Sequence, residues 1–99
     1  MSAYVISEVE MIEEEGGARY RELAEASIHR HGGRYLVRGS VPDVPEGQWP
    51  SGQRVVVVEF PSMKRLREWY RSDDYAEALA VRRTALRRRL LFVDGVPQH

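Results

Sequence analysis

Six side chains in this sequence have a type and a position that could hold or transform a small molecule: Arg38, Arg83, Trp69, Tyr70, Tyr75 and His31. Arg38 stands between Val37 and Gly39 in a strand-like stretch, and a guanidinium on a strand covered on both faces is costly unless it is paired. One role is to anchor a carboxylate or phosphate through a bidentate contact. The structural alternative is an ion pair with Glu59 on a neighbouring strand or with a carboxylate of a partner subunit. Arg83 lies one turn from Leu79 and from Leu86, at the border of an apolar helical stripe, where it can either reach inward or remain on a solvated face. Trp69, Tyr70 and Tyr75 gather around a break between helical segments. There they can line an aromatic pocket or pack as core, and a buried tyrosine hydroxyl requires a partner. His31, at the end of a helix, is a weak candidate general base, with helix capping as the alternative.

Other chemistries lack their residues. The chain has no cysteine, which excludes disulfides, thiol catalysis and cysteine metal sites. His29 and His31 are two apart and point to different sides of a helix, so no metal site is expected. No nucleophile elbow, phosphate loop or paired-carboxylate motif is present, and no cofactor is expected. Basic and acidic residues number 15 each, which argues against a nucleic-acid binder. No apolar run is long enough to span a bilayer, and the first residues lack the basic region of a signal peptide. A cytoplasmic location is the resulting expectation. With 99 residues, 42% hydrophobic and 30% charged, the chain reads as one globular domain over residues 1–99.

The elements that position these residues follow from periodicity. Ala3 to Met11 alternates as a strand with apolar groups on both faces. Glu13 to Glu15 then lead through Gly16-Gly17 into a helix whose stripe is Tyr20, Leu23, Ala24, Ser27 and His31, with Arg21 and Glu25 facing water. Gly32-Gly33 stops it, and Arg34 to Gly39 is a second strand, with Tyr35 and Val37 on one face and Leu36 on the other. A proline- and glycine-rich connection follows, in which Trp49 is either a lid or a core cap. Arg54 to Phe60 is a β-branched run suited to a central strand. Ser62 caps a short helix carrying Leu66, Trp69 and Tyr70. Ser72-Asp73-Asp74 starts another helix, running from Tyr75 to about Arg88 with a stripe of Tyr75, Leu79, Arg82 and Leu86. Arg87-Arg88-Arg89 is read as the solvated end of that helix, complementing its dipole. Leu90 to Val93 is the last strand.

The order strand, helix, strand, strand, helix, strand is the ferredoxin-like βαββαβ arrangement, an α+β fold with a four-stranded antiparallel sheet and its helices on one face. The other face is also apolar, so a homodimer formed through that sheet face is expected.

Tyr4-Val5-Ile6, His31 to Gly39, Glu46 to Pro50, Val57 to Ser62, Trp69 to Tyr75 and Arg82-Arg83 together resemble the small bacterial domain-of-unknown-function "thirteen-thirty" family, over nearly the whole chain. The resemblance implies a dimeric α+β barrel of two ferredoxin-like units, and Arg83 stands at a matching family position. It implies no particular activity. Two readings follow. In the first, Arg38, Arg83, Tyr70 and Tyr75, with Trp69 nearby, grip an anionic or carbonyl-bearing metabolite between sheet and helices, with cofactor-free catalysis within reach. In the second, the chain is a non-catalytic dimerisation or effector-binding module.

Overall fold

In a computed structural model, which describes residues 1–50 and 52–97, the elements are β1 (Ala3–Met11), α1 (Glu14–Arg30), β2 (Arg34–Ser40), β3 (Gln53–Phe60), α2 (Met63–Tyr70), α3 (Asp73–Ala85) and β4 (Leu86–Asp94). Ser51 of the long connection, and Gln98 and His99, lie outside the described residues. The four strands form one antiparallel sheet in the order β2-β3-β1-β4, with β1 in the middle between β3 and β4. This is the ferredoxin-like α+β fold, with its second helical unit broken into α2 and α3.

The helix ends obey local chemistry. Ser62 Oγ accepts from Arg65 N at 3.2 Å, and Ser72 Oγ accepts from Tyr75 N at 3.1 Å, so both serines satisfy a free donor of a first turn. Helix α1 stops at Gly32, whose φ of +81° is the left-handed conformation that glycine adopts without a Cβ penalty. Gly33 N then closes on the Ile28 carbonyl at 2.9 Å.

Two boundaries differ from the sequence reading. Gly16 and Gly17 lie inside α1, which begins at Glu14, two residues before them. A Cβ on Gly16 would sit 2.8 Å from Ala85 Cβ, so the glycine is there to let α1 approach the end of α3. The same junction is tied by the Ala85 carbonyl, which accepts from Ile12 N and Glu13 N at 2.9 and 3.0 Å. The second difference is larger. Helix α3 ends at Ala85, and Leu86 to Arg89 belong to β4, where Arg87, Arg88 and Arg89 pair with Glu10, Val9 and Glu8 of β1. The arginine run is part of a strand because Glu8, Val9 and Glu10 of β1 supply backbone partners for it, within a ladder of nine residue pairs that a helix end would forgo.

Strand β2 is also not a simple alternation. Its register on β3 shifts between Tyr35 and Val37 and again between Arg38 and Ser40. The two extra residues are Leu36 and Gly39, the latter at φ +80°, and such bulges re-aim the side chains that follow. Arg34 consequently shares the outer face with Val37, whereas Tyr35 and Arg38 face the helices.

The core sits between the sheet and the helices. Ala3, Val5, Val58 and Phe60 supply the sheet side, and Ala24, Ile28, Leu66, Trp69, Tyr75 and Ala78 the helical side. Ile28, absent from the expected α1 stripe, is fully part of it. On the opposite face of the sheet, Ile6, Val37, Val55 and Val57 are half-buried, and Leu91 and Val93 are exposed.

Candidate functional site

Between the inner face of the sheet and α1 lies a cavity of about 510 Å³, a size common for small-molecule sites. Its sheet floor is aliphatic, with Val5, Val9, Val56, Val58 and Leu90, and Trp69 and Tyr20 contribute aromatic surface. Trp69 is held by a short relay: its indole Nε1 donates to Ser27 Oγ at 2.9 Å, and that hydroxyl donates to the Ala24 carbonyl at 2.8 Å. With the indole rotamer locked by this relay and by Phe60 and Tyr75, whose ring centroids lie 5.3 and 4.2 Å away, the wall is rigid.

The polar centre of the cavity is Arg88. Alternation along β4 turns Leu86, Arg88 and Leu90 toward the cavity and leaves Arg87 and Arg89 on the opposite face, paired with Glu10 at 3.5 Å and Glu8 at 2.7 Å. Arg88 Nη1 donates to the Tyr20 hydroxyl and Nη2 to the Tyr75 hydroxyl. The two hydroxyls are themselves 2.7 Å apart. No carboxylate lies within ion-pair distance of Arg88 among the described residues, in contrast to Arg34, Arg38, Arg87 and Arg89. A half-buried cation is thus surrounded by neutral dipoles. Burial works against the charge on Arg88, and the phenol oxygens around it more than offset this, so its pKa lies above the ordinary arginine value. Burial pushes the Tyr75 phenol well above its ordinary range, more than Arg88 draws it down. Arg88 and Tyr75 therefore keep their protons at neutral pH.

Counting hydrogens shows what this arrangement can do. Each phenol oxygen accepts from Arg88, and one hydroxyl donates to the other. One phenolic proton remains, and of the two tyrosines Tyr20 lines the cavity whereas Tyr75 is fully buried behind it. The site offers the charge of Arg88 and a free O–H donor to one ligand oxygen.

Of the residues singled out by sequence, the structure brings some together and not others. Arg38 does line the cavity, but it is bound at both nitrogens to Glu25, at 3.2 and 3.1 Å, and lies 4.4 Å over the Tyr35 ring. Its partner is therefore Glu25 of α1, expected to face water, and not Glu59. Glu59 is taken by Arg34 at 2.7 Å and by Tyr4 at 3.2 Å. Trp69 lines the cavity, and Tyr75 acts through its hydroxyl. Tyr70 is outside the lining and covers Phe92 edge-on at 5.3 Å. Arg83 is exposed on α3 and takes no part in the cavity. His31 is also outside the lining, and its Nδ1 donates to the Ser27 carbonyl at 2.8 Å, as a cap on the end of α1. Trp49 is no lid over the cavity; its indole donates to the Gln53 carbonyl at 3.1 Å and fastens the long connection to β3. Arg88 and Tyr20 were missed as a pair. The signal for Arg88 was the alternation Leu86, Arg88, Leu90, Phe92, concealed by the equal charge of its two neighbours.

The sequence pattern of the domain of unknown function DUF1330 matches residues 2–96. The chain belongs to the DUF1330 family. Among proteins with curated descriptions, none matches it. Solved structures do. The arrangement of strands and helices is shared with RPA0582, a protein of unknown function from Rhodopseudomonas palustris, at 20% identity and a TM-score of 0.79, covering 98% of this chain and 84% of that one. SnoaB, a cofactor-independent oxygenase from Streptomyces nogalater, aligns at 7% identity and a TM-score of 0.66, over 98% and 95% of the two chains. A dimeric ferredoxin-like protein of unknown function from Thermobifida fusca aligns at 12% identity and a TM-score of 0.64, over 93% and 89%. At these identities the likeness establishes the fold of this DUF1330 chain, and function has to be argued from its own site. Among the described residues no helix is long and apolar enough to cross a membrane, and no group of three metal-ligating side chains converges.

Proposed function

We propose that this DUF1330 protein binds a small molecule that presents an anionic or carbonyl oxygen to Arg88 and Tyr20 in the cavity between sheet and helices. The observation that carries this reading is a guanidinium on a largely aliphatic cavity floor, bonded to two phenol hydroxyls and with no carboxylate within ion-pair distance of it among the described residues. Such a charge is costly to hold in an apolar site unless a ligand completes it. The cation and the free hydroxyl proton also suit an enolate or phenolate, whose negative oxygen they would stabilise. Cofactor-free chemistry on such a ligand agrees with the description of SnoaB as a cofactor-independent oxygenase.

A second reading, effector binding without turnover, is favoured by one observation. His31, the expected base, is tied to Ser27 outside the cavity.

The reading includes a second copy of the chain on the open face of the sheet. Ile6, Val37, Val55, Val57, Leu91 and Val93 form its apolar centre, and the description of the Thermobifida fusca protein as dimeric supports it. A cytoplasmic location fits a chain without cysteine.

The test is calorimetric titration of the wild type and Arg88→Met with benzoate, used as the simplest apolar carboxylate. The wild type binds, and the variant, checked as folded by circular dichroism, loses about ten-fold or more in affinity, the worth of a charge-assisted hydrogen bond. Equal affinity in the two proteins overturns the assignment.

A further inference from the structure

Ser7 interrupts the aliphatic row that β1 contributes to the cavity floor. It lies on the central strand β1, opposite Val56 on one side and Leu90 on the other, in a row otherwise made of Ala3, Val5, Val9 and Met11. It is 4% exposed, and its hydroxyl oxygen is buried with no hydrogen-bond partner among the described residues. Hydroxyls in such positions are normally satisfied, and an orphan one lowers stability relative to an alanine of nearly the same shape. Its neighbours offer it nothing, since every residue paired with it is apolar. The residue that carries it does belong to the cavity lining.

We propose that Ser7 is a second ligand-binding group of this site, and that it selects a planar, largely apolar acid carrying a second oxygen across the molecule from its anionic one. This deepens the Arg88 reading and rests on it. Val9 is paired with Arg88 and Ser7 with Leu90, so Ser7 stands two residues further along the same face, roughly 7 Å from the Arg88 row. An anionic oxygen held by Arg88 and Tyr20 therefore leaves Ser7 beneath the body of the ligand, at the reach of a substituent on the far side of a ring. The valine floor and the Trp69 and Tyr20 rings accept the flat apolar part. Ser7 both donates and accepts, so the second oxygen can be a hydroxyl or a carbonyl.

The probes are benzoate, 3-hydroxybenzoate and 4-hydroxybenzoate, titrated into the wild type, Ser7→Ala and Arg88→Met and followed by NMR shift changes and calorimetry. In the wild type one of the hydroxy acids binds about five-fold more tightly than benzoate, the worth of one hydrogen bond. Ser7→Ala abolishes that preference, bringing the hydroxy acid to the affinity of benzoate, and raises the melting temperature of the ligand-free protein by about 4 °C or more. Equal binding of all three acids by the wild type, all lost in Arg88→Met, overturns the role of Ser7 while leaving the Arg88 site standing. A fall in melting temperature in Ser7→Ala overturns it as well, because the hydroxyl is then satisfied within the fold. If none of the acids binds, or Arg88→Met binds them unchanged, both assignments fall together.

Discussion

The hydroxyls of Tyr20 and Tyr75 lie 2.7 Å apart, although the two residues are 55 positions apart in the chain and come from different helices. Arg88 donates to both, so three elements, α1, α3 and β4, meet at two oxygen atoms. The rings meet edge-on, with centroids 6.3 Å apart, which brings the oxygens together without stacking the rings. The two tyrosines are unequal. Tyr75 is fully buried, while Tyr20 is on the cavity wall.

That inequality separates stability from binding. Tyr75→Phe removes one acceptor of a half-buried guanidinium and lowers the stability of the ligand-free protein by about 1–2 kcal/mol in urea unfolding. Tyr20→Phe removes the free donor, and weakens benzoate binding by more than it alters the unfolding midpoint. If the two substitutions have interchangeable effects, the proposed division of roles is wrong.

The Tyr75 phenol also sets an alkaline limit. Its folded pKa lies above the ordinary tyrosine value of 10.0 because burial disfavours the anion. Below that value both states keep the proton, so its contribution to stability is constant. Above it the unfolded chain ionises first and the native state binds more protons, and stability falls with rising pH by up to about 1.4 kcal/mol per unit. Urea unfolding at pH 8, 10 and 11 measures the slope, and Tyr75→Phe flattens it.

Glu25 and Arg38 form an exposed pair on the rim of the same cavity. The hydrogen bond from Arg38 holds the Glu25 carboxyl below the ordinary carboxylate range, so its stabilisation is present above that range and disappears as pH falls through the folded value. Glu25→Gln produces a small loss in melting temperature at pH 7, a smaller one at pH 3.5, and a smaller one again in high salt. Thermal melts across pH and ionic strength test this.

Gly16 is a glycine in the first turn of α1, where replacement by alanine would ordinarily stabilise by up to about 1 kcal/mol. Here the new methyl group meets Ala85 Cβ at 2.8 Å, at the junction where α1 begins and β4 leaves α3. Gly16→Ala lowers the melting temperature. A rise would mean that the α1–α3 contact yields without cost.

On the open face of the sheet, Val57 pairs with Ile6 and Val37 from its two neighbouring strands and sits at the centre of the apolar surface. On the proposed dimer, the wild type is expected to run as a dimer in sedimentation velocity and Val57→Arg, which places a charge in that centre, as a folded monomer. A monomeric wild type removes the second copy from the proposal and leaves the cavity untouched.

What the sequence determined by itself was local. The glycine stop after His31, the serine caps at Ser62 and Ser72, the β-branched strand before Phe60 and the order of elements all follow from hydrogen bonds and periodicities within a few residues, and together they were enough for the ferredoxin-like α+β fold. What only the tertiary structure decided was which arginine matters. Arg34 and Arg38 would share a face in a regular strand, and the bulge at Leu36, created by pairing with β3, places them on opposite ones. Arg87, Arg88 and Arg89 look alike along the chain, and suit a helix end as well as a strand. The ladder with β1 extends them, the period of two turns Arg88 alone toward the helices, and Tyr20 and Tyr75 reach it from segments remote in sequence. Local propensity is indifferent among those three arginines, and long-range pairing with Glu8, Val9 and Glu10 is not.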